Sequence, residues 1–82
     1  MLFPREILNE LKWRSDRLLE SARITLEHRG APGDIRVING DEITELDRSF
    51  FSTGEARIPY HRILRIERVG PSGEVEESWD FL

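Results

Sequence analysis

The hydrophobic period of this chain changes once, near residue 22. Before that point, apolar residues recur at helical spacing: Ile7, Leu8 and Leu11 share one side, with Arg5, Glu6, Asn9, Glu10 and Lys12 on the other. After it, alternation takes over. Ile24, Leu26 and His28 point one way; Arg23, Thr25, Glu27 and Arg29 point the other. A helical pattern does not settle as a strand, nor the reverse. The expectation is one N-terminal helix followed by β-structure. The 82 residues allow a single domain, 1–82, with a thin core.

Punctuation divides the rest. Pro4 suits the first turn of a helix, where its missing N–H costs nothing, so the helix is predicted over residues 4–13. Ser15-Asp16 interrupts it, and Leu18-Leu19 reads either as an extra turn or as a loop returning to the sheet. Gly30-Ala-Pro-Gly33 and Gly70-Pro-Ser-Gly73 are strong turns. Asn39-Gly40 reads as a hairpin between a strand at 35–38 and a return strand at 43–46, the latter bulged or bent because its apolar spacing breaks alternation. Residues 49–52 form a short apolar strand, and Pro59 bars 58–62 from a central strand and makes 59–62 a tight turn. Strands at 63–69 and 75–81 close the chain. The fold class is α+β: a small two-layer domain, the helix packed on a mostly antiparallel sheet of five or six short strands. The expected core is Ile7, Leu8, Leu11, Ile24, Leu26, Ile35, Val37, Phe50, Ile63, Leu64 or Ile66, and Trp79.

Composition excludes several functions. There is no Cys, hence no disulfide, thiolate metal site or Cys nucleophile. Two histidines are too few for a His-rich zinc site, so neither metal nor cofactor is expected. No P-loop or dinucleotide-binding glycine motif occurs. No apolar run reaches the roughly 20 residues of a membrane span, and the N-terminus lacks a signal-peptide pattern, so a cytoplasmic protein is expected. The net charge is −4, but it is unevenly spread. Residues 48–68 carry five Arg against Glu55 and Glu67. A basic face forms if Arg48, Arg57, Arg62 and Arg65 converge; alternating solvated charge is the plainer alternative.

Two His-Arg dipeptides stand out. His28-Arg29 follows the first strand, in phase with its apolar side, and runs into the turn at Gly30. An imidazole, a guanidinium and backbone N–H groups of a glycine turn together make a phosphate cradle. Taken alone, the plainer reading is a half-buried structural His at a strand end, hydrogen-bonded to the following loop. His61-Arg62 follows Pro59-Tyr60, with Ile58 and Ile63 as anchors, so a stiff loop presents Tyr60, His61 and Arg62. Tyr60 is placed to stack on a base or ribose, or simply to pack as part of a structural turn. Ser49 and Ser52 flank Phe50-Phe51 without a nucleophile elbow.

These segments also carry a resemblance. His28-Arg-Gly-Ala-Pro-Gly-Asp34, Ser49-Phe-Phe51 and Ile58-Pro-Tyr-His-Arg-Ile63, with Trp13 ahead of them, resemble the RNA cyclic-group-end recognition domain, a small domain widespread in archaea and placed among RNA repair and processing systems. They also resemble the domain fused to two-histidine phosphoesterases and nucleotidyltransferases in larger eukaryotic proteins. The likeness runs from the helix at Ile7 to the strand near Trp79, and the two His-Arg motifs in this order are its specific part.

The resemblance implies an RNA-binding module for termini bearing a 2′,3′-cyclic phosphate or a related phosphate, with RNA ends and RNA-processing enzymes as partners. His28, Arg29, Gly30, Tyr60, His61 and Arg62 would form the site, and no residue would be catalytic. The alternative is a metal-independent phosphodiesterase or cyclase using His28 and His61 as general acid and base. A protein-interaction domain without ligand is the third reading. Both phosphate readings require His28 and His61 to meet at one rim of the sheet.

Overall fold

The computed structural model describes residues 3–14 and 18–81. Helix α1 spans Pro4–Trp13, with Pro4 in its first turn and Ile7, Leu8 and Leu11 buried, as the helical spacing predicts. The interruption expected at Ser15-Asp16 lies outside the described residues. A short 3₁₀ turn at Leu18–Ser21 leads into the β-structure.

Among the described residues, seven strands follow: β1 (Ala22–Glu27), β2 (Ile35–Asn39), β3 (Ile43–Leu46), β4 (Phe50–Thr53), β5 (Arg57–Pro59), β6 (Ile63–Val69) and β7 (Val75–Asp80). They form two antiparallel sheets, one of order β2-β1-β6-β7 and one of order β3-β4-β5. The α+β class therefore holds, while the single sheet of five or six strands does not. Two local causes account for the difference. Pro59 is tolerated as the end of β5 because β5 is an edge strand. The second cause lies at Asn39-Gly40, which is not a two-residue hairpin. Gly40–Glu42 forms a 3₁₀ turn, with the Asn39 N–H donating to the Glu42 carboxylate at 2.7 Å. This turn carries the chain out of the first sheet, so β3 pairs with β4 and not with β2, through the irregularity expected at Ile43–Glu45. Gly40 is required there by close approach. A Cβ would lie 1.8 Å from the Leu19 carbonyl oxygen.

The core lies between α1 and the two sheets. Register aligns Ile38, Ile24, Ile66 and Trp79 across the four strands of the first sheet. Ile24, Ile38 and Ile66 are buried, Trp79 half-buried. Leu26, Ile63, Phe51, Ile58 and Tyr60 extend the core toward the second sheet. Several expected core residues face outward instead. Ile35 and Val37 are exposed, since the alternation of β2 turns Ile38 inward. Phe51, not Phe50, is buried, and Phe50 lies under the Arg57 guanidinium. Of Leu64 and Ile66, it is Ile66 that is fully buried.

Candidate functional site

The pairing of β1 with β6 brings the two His-Arg dipeptides together. Ala22 to Thr25 pair with Arg68 to Arg65, and the ladder then shifts so that Leu26 faces Ile63, with Leu64 the extra residue on β6. His28, just past the end of β1, and the turn Tyr60–Arg62, just ahead of β6, therefore come to the same rim. Glu27, His28, Arg29, His61 and Arg62 line one open hollow of about 300 Å³ at this rim. The approach of His28 and His61 that the phosphate readings require is therefore present.

The details differ from the sequence-based expectation. β1 ends at Glu27, so His28 is exposed and does not lie on the apolar face. Its N–H donates to the Asp34 carbonyl at 2.8 Å, closing the glycine turn. The donors of that turn are largely consumed within it. The Gly30 N–H reaches the Asp34 carboxylate at 3.4 Å, Ala31 donates to the His28 carbonyl and Asp34 to the Ala31 carbonyl. Gly30 sits at φ +92°, a conformation that favours glycine, so its evident contribution is the shape of the turn rather than a free donor.

Tyr60 likewise has a structural position. It is only 8% exposed, its ring lies 5.7 Å from that of Phe51, and its hydroxyl donates to the Asp47 carbonyl at 2.7 Å. Burial pushes its pKa up, with Asp47 adding and Arg5 opposing. So little of the ring is exposed that it has no open face for a base, and the residue instead pins the 3₁₀ turn Tyr60–Arg62 that carries exposed His61 and Arg62.

Charge is partitioned across the molecule. Arg14 pairs with Glu10 and Glu77, Arg23 with Glu67, Arg36 with Glu55, Arg65 with Asp80, and Arg68 with Glu76 and Glu77. Among the described residues, Arg5, Arg29, Arg48, Arg57 and Arg62 have no such carboxylate partner. The basic face that a convergence of Arg48, Arg57, Arg62 and Arg65 would form is not built from four unengaged guanidiniums. Asp80 neutralises Arg65 and Arg57 covers Phe50. Arg48 instead lines a second hollow that shares His61 with the first.

Sequence reasoning passed over Glu27 as a site residue, although it directly precedes His28 and lines the same hollow. Among the described residues, no three His, Asp or Glu side chains gather as a metal would need. No helix among them is long and apolar enough to cross a membrane.

This is a small α+β domain whose one rim gathers two imidazoles and unpaired guanidiniums. The chain belongs to the MJ1316 RNA cyclic group end recognition domain family, whose model matches residues 1–80. A UPF0248 protein of Thermococcus kodakarensis is 42% identical over 64 residues, covering 78% of each chain. One from Pyrococcus abyssi is 41% identical over 64 residues, 78% of this chain and 76% of the relative. A more distant one, from Methanococcus maripaludis, is 35% identical over 71 residues, 87% of this chain and 91% of the relative. No solved structure matches the chain significantly.

Proposed function

We propose that the protein binds RNA termini carrying a 2′,3′-cyclic phosphate or a related phosphate, as a cytoplasmic module of RNA repair or processing that works beside RNA-processing enzymes. The observation that carries this reading is the hollow lined by both His-Arg dipeptides, whose arginines have no carboxylate partner among the described residues. Arg29 and Arg62 neutralise the phosphate, bidentately where its oxygens allow. His28 and His61 donate hydrogen bonds to the remaining oxygens. Gly30 and Tyr60 act indirectly: Gly30 shapes the turn behind Arg29, and Tyr60 anchors the turn that carries His61 and Arg62. The family's description supports the ligand class.

Two imidazoles in one hollow also suit general acid–base opening of the cyclic ester. Their exposure favours binding, because catalysis gains from a site that excludes water, and both rings stand in solvent.

The test uses short single-stranded RNAs that differ only in the 3′ end: cyclic phosphate, 3′-phosphate or hydroxyl. Phosphorylated ends should bind roughly tenfold tighter or more than the hydroxyl end, the range expected for charge-assisted hydrogen bonds. Affinity should fall with salt, but along a shallow slope, since few phosphates are contacted. Equal affinity for all three ends, or tight end-independent binding of duplex RNA, overturns the reading. Multiple-turnover ring opening in the same tube replaces it with the enzyme.

A further inference from the structure

The rim holds more than the hollow between the dipeptides. A second one, of about 430 Å³, is lined by Phe3, Arg5, Arg48, Tyr60 and His61, with one carboxylate, Glu6, among the other lining residues. His61 lines both, so the two adjoin at one imidazole. Their volumes fall in or near the range of small-ligand sites.

The second hollow differs chemically from the first. Phe3, at the start of α1, is 57% exposed, a large aromatic surface not spent on the core. Arg48 is exposed and has no ion-pair partner among the described residues. Arg5 lies close enough to the Tyr60 hydroxyl to oppose the rise in its pKa. Phosphate alone has no use for an aromatic wall. An aromatic face with guanidiniums beside it is what an unpaired nucleotide takes, the base stacking and the phosphodiester pairing.

We propose that this second hollow seats the nucleotide next to the terminal one. Its base lies against Phe3, and the phosphodiester joining it to the terminal residue lies against Arg48 and Arg5. His61 then stands between two phosphates, the terminal one and the internal one. The recognised unit is a single-stranded dinucleotide end, because a base held in a duplex stack is not free to meet Phe3. The inference rests on the terminal phosphate occupying the first hollow.

The test compares uridine, uridine 2′,3′-cyclic phosphate and the diuridine dinucleotide with the same cyclic end, titrated against wild type, Phe3→Ala and Arg48→Gln. Wild type should bind the dinucleotide at least about fivefold tighter than the cyclic mononucleotide, as stacking of one base provides. Each variant should lose most of that gain and keep the mononucleotide affinity. Both side chains are exposed, and unchanged melting curves would show that the variants fold. If the cyclic mononucleotide binds and the dinucleotide gains nothing, the second subsite is overturned and the phosphate site stands. The second subsite is overturned in the same way if each variant weakens both ligands equally. If the cyclic mononucleotide binds no better than uridine, the phosphate reading falls and this inference falls with it.

Discussion

Lysine carries the charge of Arg62 but not its shape. A planar fork reaches two phosphate oxygens at once, whereas an ammonium is a point charge. Arg62→Lys should weaken binding of a cyclic-phosphate RNA by roughly three- to tenfold, the loss of about one charged hydrogen bond, with no change in melting temperature because the residue is exposed. Undiminished affinity in the anisotropy titration would remove Arg62 from the site. His61→Gln separates the two readings of the same hollow. Glutamine keeps a donor and cannot relay a proton, so a binding protein retains much of its affinity. An enzyme would lose turnover by about 10²–10⁴-fold. At this scale the site was partly legible. The doubled His-Arg is visible in the sequence, and a register that brings two such dipeptides together is a property of β1 and β6 only once they pair. Tyr60 was ambiguous for a physical reason: an aromatic on a stiff turn packs or stacks depending on what lies beneath it, and here that is Phe51.

Among the elements, the turn after β2 is the one whose sequence signal misleads. Asn-Gly is a strong hairpin pair, but Gly40 serves contact with the 3₁₀ turn Leu18–Ser21 and not a positive φ. An added methyl there meets a backbone carbonyl, which cannot rotate aside as a side chain can. Gly40→Ala should therefore cost about 1–3 kcal/mol, the usual range for overpacking. Gly54→Ala, where a Cβ meets nothing within 4 Å, should be close to neutral. Urea midpoints for the two variants provide the check, and equal midpoints would mean the Leu19 contact is not maintained in solution. Helix α1 and strands β6 and β7 were readable because their apolar spacing has one interpretation. β2 was not. Ile35, Val37 and Ile38 put two apolar residues on one side and one on the other, and counting favours the wrong face. Register against Ile24 decides it. Phe50-Phe51 poses the same problem, since adjacent residues of a strand cannot both face inward.

For the molecule as a whole, the main question is how a chain of net charge −4 keeps a cationic rim. Among the described residues, Arg14, Arg23, Arg36, Arg65 and Arg68 meet carboxylates, while Arg5, Arg29, Arg48 and Arg62 line the two hollows without one. One of these pairings also ties three elements. Arg14, just past α1, and Arg68, on β6, both donate to Glu77 on β7, at 3.2 and 2.7 Å. Bonding chiefly to Arg68 holds the Glu77 pKa below the usual carboxylate range. A carboxyl lowered on folding contributes stability above its unfolded value and loses it as pH falls through the folded one. With Glu77 about a third exposed, solvent screening limits the contribution to about 0–1 kcal/mol. Glu77→Gln should be slightly less stable than wild type near pH 7, and the gap should close on acidification toward pH 3. Denaturant midpoints at both pH values measure it, and a gap unchanged by acid would place the stabilisation elsewhere.

The extra residue where β6 slips against β1 has a consequence of its own. With the straight ladder of Ala22 to Thr25 continued, His28 would fall across from Arg62 and Arg29 across from His61. Leu64, left over where the register shifts, takes the chain out of that count by one step before the turn that carries His61 and Arg62. What position 64 supplies to the rim is thus a count rather than a side chain. Exchanging that leucine for another residue keeps the frame, whereas losing it is a frameshift in three dimensions, one that leaves every residue of the site in the sequence and dismantles the arrangement they make.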